Sequence, residues 1–244
     1  MSVQLAQEGY APKKESAPGL VGKVNRSTVR LGGTAAIGGC VTMIIGAALW
    51  GTSGTDLWAA LDNGDMAGYL TAIEPVKGQL VANLSVWILG VLILGVAGAM
   101  LSALCTQRRP LAQVARVCFQ TAVPLTIVAY MAMLAVVVQL GGDGSVTAVS
   151  LANVVGWIGA RADDLATALI IGIGPLFISL AGRDEWVPTW LLRWGVLVGV
   201  VGLLSVVFIY LPSMAAYGFI ILPVGMGWMI AAGVVLLRQA NAAA

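Results

Sequence analysis

In the stretch GARADDLATALIIGIGP, residues 159–175, Arg161, Asp163 and Asp164 stand at the threshold of an apolar run. Two carboxylates beside a guanidinium can hold an ion or a proton if a low-dielectric wall surrounds them. The same residue types also start helices. A helix N-terminus leaves about four backbone N–H groups unpaired, and an aspartate there accepts from them. On the sequence alone, Asp163 or Asp164 is expected to cap an apolar helix, with Arg161 pairing to one of them. A polar site at an outer mouth is the competing reading.

Little else in the chain has a chemical signature. There is no histidine, so a Ser-His-Asp triad, a histidine-ligated zinc or haem and a histidine proton relay have no residues to build them. Cys40, Cys105 and Cys118 lie in or beside apolar runs without CxxC spacing and are expected to be buried free thiols. A GxSxG elbow, a Walker loop and an HExxH helix are all missing. The expectation is a protein that is not an enzyme and carries no cofactor.

The composition says where those residues sit. The 244 residues are 59% hydrophobic and only 10% charged, with a mean hydropathy of +0.93. A soluble domain carries about a quarter charged residues, so lipid is the natural solvent for most of this chain. A net charge of +2 and no basic patch with interleaved aromatics argue against nucleic acid. Six apolar runs, at 31–50, 80–104, 117–140, 164–181, 190–211 and 215–237, each approach the ~20 residues that cross a bilayer. The fold class is therefore all-α, a polytopic transmembrane bundle of six helices. No Asp, Glu, Lys or Arg falls near the middle of any of these runs.

Of the 13 Lys and Arg residues, only Lys77 and Arg161 fall on the side opposite the termini. The positive-inside rule then places both termini in the cytoplasm. Residues 1–28 are polar and Pro/Gly-bearing, a disordered cytoplasmic segment by composition. The membrane domain spans 29–238, and 239–244 form a short tail.

Two outer loops are long, 51–79 and 141–163. In the first, Leu57, Leu61, Leu70 and Ile73 suggest two short interfacial helices broken near Asn63-Gly64, with Trp58 and Tyr69 at headgroup level.

Arg108, Arg109 and Arg116 form a basic cluster at the cytoplasmic end of the third span and are candidate contacts for anionic headgroups. Pro124, Pro175 and Pro223 are candidate helix breaks. Gly195 and Gly199 make a GxxxG face for packing, or for a membrane-protein partner or second copy. Trp186, Trp190 and Trp194, spaced by four, read as one interfacial face.

The inner loop CTQRRPLAQVARVCFQTAV, the span LATALIIGIGPLFISL and the turn DEWVPTWLLRWGVLVGVVGLL together resemble an uncharacterised family of six-pass bacterial integral membrane proteins classed as a domain of unknown function. Thr189 stands where that family has a basic residue, and the first outer loop has no counterpart in it. The resemblance implies six helices in a bacterial-type plasma membrane and assigns no activity. The functional expectation is a structural or accessory component of a membrane assembly. A small-molecule or lipid permease, or the membrane subunit of an ATP-driven exporter, is the alternative.

Overall fold

The computed structural model describes residues 26–208, 211 and 219–242. The expectation for the N-terminal segment lies mostly outside them, although its last residues, from Arg26, already belong to helix. Among the described residues every regular element is helical. Helix α1 spans Arg26–Gly51, and α2 (Leu57–Asn63) and α3 (Met66–Ile73) follow as short outer helices. A tight turn, Glu74–Val76, leads into α4 (Lys77–Ala103), and α5 spans Arg109–Ala135. Helices α6 (Val146–Thr167) and α7 (Gly174–Gly182) follow, then α8 (Thr189–Phe208) and α9 (Ile221–Ala242). Six of the continuous helical stretches are long and apolar enough to cross a membrane.

The packed pairs close into a ring: α1 beside α4, α4 beside α5, α5 beside α6 and α7, α7 beside α8, α8 beside α9, and α9 back against α1. Inside hydrocarbon no hydrophobic force pulls helices together, so close backbone approach and polar staples must do so. Gly33 of α1 and Gly233 of α9 face each other's carbonyls, and Gly172 and Gly202 meet backbone to backbone. Two indoles tie α8 to α9: Trp194 Nε1 donates to the Val224 carbonyl at 3.1 Å, and Trp228 Nε1 to that of Leu191 at 3.0 Å.

The structure corrects several expectations. The fourth span does not begin at 164. Val146–Gly182 is one continuous helical stretch of 37 residues, and its true cap is Ser145, whose hydroxyl accepts from the Ala148 amide at 3.2 Å. Residues 146–160 hold no proline, and Gly156 and Gly159 pack against neighbouring side chains and backbone instead of ending the helix, so a helix nucleated at Ser145 continues past the aspartates. Asp163 and Asp164 therefore cap nothing.

The prolines do not break the spans either. Pro124 lies inside an unbroken α5. Pro175 is absorbed by a widened π turn, Ala168–Ile173, just before it. A proline leaves the carbonyl four residues back without its intrahelical donor. Here that is the Ile171 carbonyl, against which Gly225 of α9 packs directly. Pro223 falls in the first turn of α9, where its missing N–H costs nothing.

Gly195 and Gly199 are buried against Ser179 and Leu176 of α7, so this GxxxG face is consumed within the chain. Trp186 is also buried, ahead of α8 rather than on it, while Trp190 is half exposed. All three cysteines are buried and unpaired. Burial pushes the Cys105 thiol up to about 12.

Glycine contact makes a direct prediction. A Cβ on Gly202 would lie 2.7 Å from the Gly172 Cα, whereas one on Gly38 would meet nothing within 4 Å. Gly202→Ala should therefore lower stability in detergent by about 1–3 kcal/mol, because backbone cannot yield as a side chain does. Gly38→Ala should leave the denaturation midpoint unchanged or slightly raised. Equal midpoints for the two variants would contradict this packing.

Candidate functional site

The π-widened helix that carries Asp163 is about 55 Å long at 1.5 Å per residue, against roughly 30 Å of hydrocarbon. Counted from Gly182, Asp163 stands about 28 Å along it, so with Gly182 at the inner edge it is level with the outer edge of the hydrocarbon. The residues beyond it join the outer parts of α4 and α5 and the two short helices in a second apolar core. Leu57, Met66, Leu70, Ile73, Trp87, Tyr130 and Met133 belong to this core.

The short helices form where the sequence suggests. Asp56 and Asp65 cap them by accepting from the Ala59 and Gly68 amides, and Gly64, at φ +70°, makes the left-handed turn between them. Tyr69 and Leu70 pack inward. These helices therefore form a cap over the bundle instead of floating at the headgroups.

A chain of charges pins that cap to α6. Arg161 Nη2 donates to Asp62 Oδ1 at 3.0 Å, and its Nη1 donates to Asp164 Oδ2 at 3.0 Å. Trp58 Nε1 donates to the other Asp164 oxygen at 3.2 Å. The Arg161 side chain is 11% exposed and its two carboxylate partners about a quarter exposed. The pairing expected between Arg161 and one aspartate is thus present and bridges two segments of the chain.

Asp163 points the other way. It is 9% exposed, faces Tyr130 of α5, and its Oδ1 has no hydrogen-bond partner. A buried polar atom left unpaired costs about 1–3 kcal/mol, more when charged. A carboxyl therefore lies buried in the interface between α5 and α6, beside the apolar run 164–181 and away from its middle.

Aromatic rings wall the same level. Trp87 stacks on Tyr130 with centroids 5.3 Å apart, and Trp50 meets Trp58 edge-on at 6.1 Å. Asn83 Nδ2 donates to the Gly46 carbonyl at 2.7 Å and Trp87 Nε1 to that of Met43 at 3.1 Å, fastening α4 to α1. A cavity of about 20 Å³ between Trp50, Trp58, Trp87, Tyr69 and Asn83 has room for about one water. Sequence reasoning missed Asp62, Tyr130, Asn83 and Trp87 as members of this cluster. Asp62 carries no local signal in the sequence, and the others look like ordinary span residues.

The basic cluster splits three ways. Arg108 is occupied: it contacts Asp184 at 2.8 Å, and its hydrogen bond holds the Asp184 carboxyl below the usual carboxylate range. Next to it, Glu185 accepts from Thr106 Oγ1 and the Gln107 amide, both at 2.8 Å. This latch joins the two inner loops, so Arg108 is tied to protein instead of lipid. Arg109 is exposed at the start of α5, and Arg116 is exposed two turns on.

No three His, Cys, Asp or Glu side chains converge as metal ligands among the described residues. No family model matches the chain, and no curated protein or solved structure matches it.

The two halves of the polar cluster should respond oppositely to mutation. Arg161→Ala strands two carboxylates and should cost roughly 1–3 kcal/mol, a buried-pair penalty discounted for partial exposure. It should also open the segment 51–79 to protease. Asp163→Asn removes a buried carboxylate that no cation neutralises and that the Tyr130 hydroxyl alone supports, so it should raise or preserve the unfolding midpoint. A clear fall for Asp163→Asn would mean that the Tyr130 hydrogen bond outweighs the cost of burying the charge.

Proposed function

We propose that this chain is a non-catalytic structural or accessory component of a membrane assembly, set in a bacterial-type plasma membrane with both termini in the cytoplasm. The observation that carries this reading is an apolar stripe on the part of α6 that extends past the hydrocarbon. Leu151, Val154, Trp157 and Ile158 are half exposed or more. Their spacing of three and four sets them on one helix face. They lie about 36–47 Å from Gly182 along the helix, which with Gly182 at the inner edge is past the roughly 30 Å of hydrocarbon. An apolar patch outside the lipid marks a contact with another protein. The occupant that fits is the outer portion of a second membrane protein standing beside the cap. The closed packing of Gly195 and Gly199 also supports this outer stripe over the α8 face as the place of contact.

One observation favours the second reading, a permease or an exporter's membrane subunit. The unpaired Asp163 oxygen is a group that transporters keep against stability. Under that reading, Asp163→Asn abolishes transport in reconstituted vesicles while leaving the fold intact. Under the structural reading, it leaves the assembly and its phenotype unchanged.

A photo-crosslinking residue at 157, expressed in native membranes, tests the main reading. It should give an adduct with another protein, while the same probe at the lipid-level position 117 should give none. Val154→Asp should abolish the adduct. A chain that purifies alone in mild detergent and gives no adduct at 157 contradicts the assignment.

A further inference from the structure

On the lipid-facing side of the ring, α4 and α5 part to leave a groove of about 360 Å³, within the roughly 300–1,000 Å³ range of small-molecule sites. Its depth is set by the helix ends. On α4 it runs from Leu92 to Ala99, about 6–17 Å from the cytoplasmic end at Ala103. The groove therefore lies among the acyl chains of the inner leaflet. Small residues make it: Gly95 has no side chain where Val123 approaches, and Ala99 adds only a methyl.

Three polar functions line this otherwise apolar slot. Arg116 is exposed, and among the described residues no acid pairs with it. Gln120 presents its amide one turn further on. Pro124 leaves the Gln120 carbonyl without its intrahelical donor. An unpaired guanidinium facing lipid needs an anion, and its long stem lets it reach down to headgroup level.

We propose that this groove is a specific site for one anionic phospholipid of the inner leaflet. An acyl chain lies along Gly95 and Ala99, the phosphate is held by Arg116, and Gln120 meets the ester region. The site is separate from the outer cluster and does not depend on the function proposed for it. Charge complementarity selects a phospholipid over a helix from a second copy, because an apolar helix would bury the Arg116 charge without a counter-ion.

Native mass spectrometry of the full chain, titrated separately with phosphatidylglycerol and phosphatidylcholine, tests the proposal. The wild type should retain one phosphatidylglycerol more tightly than phosphatidylcholine. Arg116→Gln should lower phosphatidylglycerol affinity by about tenfold or more and leave phosphatidylcholine unchanged. Arg193→Gln, an exposed arginine of α8 outside the groove, sets the control: one arginine near an anionic surface is worth only about fivefold. Val96→Trp, which fills the slot from its rim, should displace the retained lipid without touching the charge. Equal losses for the Arg116 and Arg193 variants, equal retention of the two lipids, or a groove closed by a second copy would each overturn the site.

Discussion

A 37-residue helix standing in hydrocarbon roughly 30 Å thick must carry its surplus out of one face, and the rest of this molecule follows from where that surplus goes. The inner end is fixed by the latch of Arg108, Thr106 and Gln107 on Asp184 and Glu185. With that end at the inner boundary, the excess emerges on the outer side, together with the π turn Val136–Leu140 that follows α5. Two antiparallel helices standing clear of lipid would be unstable alone. The short helices α2 and α3 fold over them, and the result is a second core distinct from the one inside the membrane. The Gly142 amide, donating to the Leu70 carbonyl at 2.8 Å, closes the cap at the hairpin tip.

The two cores are held by different physics. Within lipid, where apolar burial gives no drive, the ring relies on glycine contacts and on the Trp194 and Trp228 indoles donating to carbonyls of neighbouring helices. Outside it, ordinary apolar burial works again, assisted by the Arg161 bridge to Asp62 and Asp164. Asp163 lies at the boundary between these regimes. It is too deep for water to solvate freely, and its Oδ1 has no partner. That one group keeps a transport reading alive beside the structural one.

Six spans and an all-helical architecture were legible because hydrocarbon imposes a length and a composition that few other folds satisfy. The outer helices at Leu57 and Met66 were legible for a different reason: Asp56, Asp65 and Gly64 are local signals that act on their own neighbours. The site was harder. Asp163 next to an apolar run looks like a cap because capping is local, whereas its burial depends on a helix that starts at Ser145 and on Tyr130 of another element. Arg108 looked free for lipid because its partner, Asp184, is 76 residues away in the chain. The prolines misled similarly. Whether a proline breaks a helix depends on what meets the freed carbonyl, and for Pro175 that is Gly225 on α9.

The depth of the cluster decides whether an outer core stands clear of the lipid, and a spin-label scan along the exposed stripe of α5 measures it. Labels at Val114, Val117, Thr121, Val128, Met131 and Val138 would be read in bilayers for access to oxygen and to a water-soluble nickel chelate. Oxygen access should peak near Thr121 and fall by Met131, with the chelate reaching Val138. A peak at Met131 would place Tyr130 and Asp163 at the bilayer centre and contradict an outer module standing clear of the lipid.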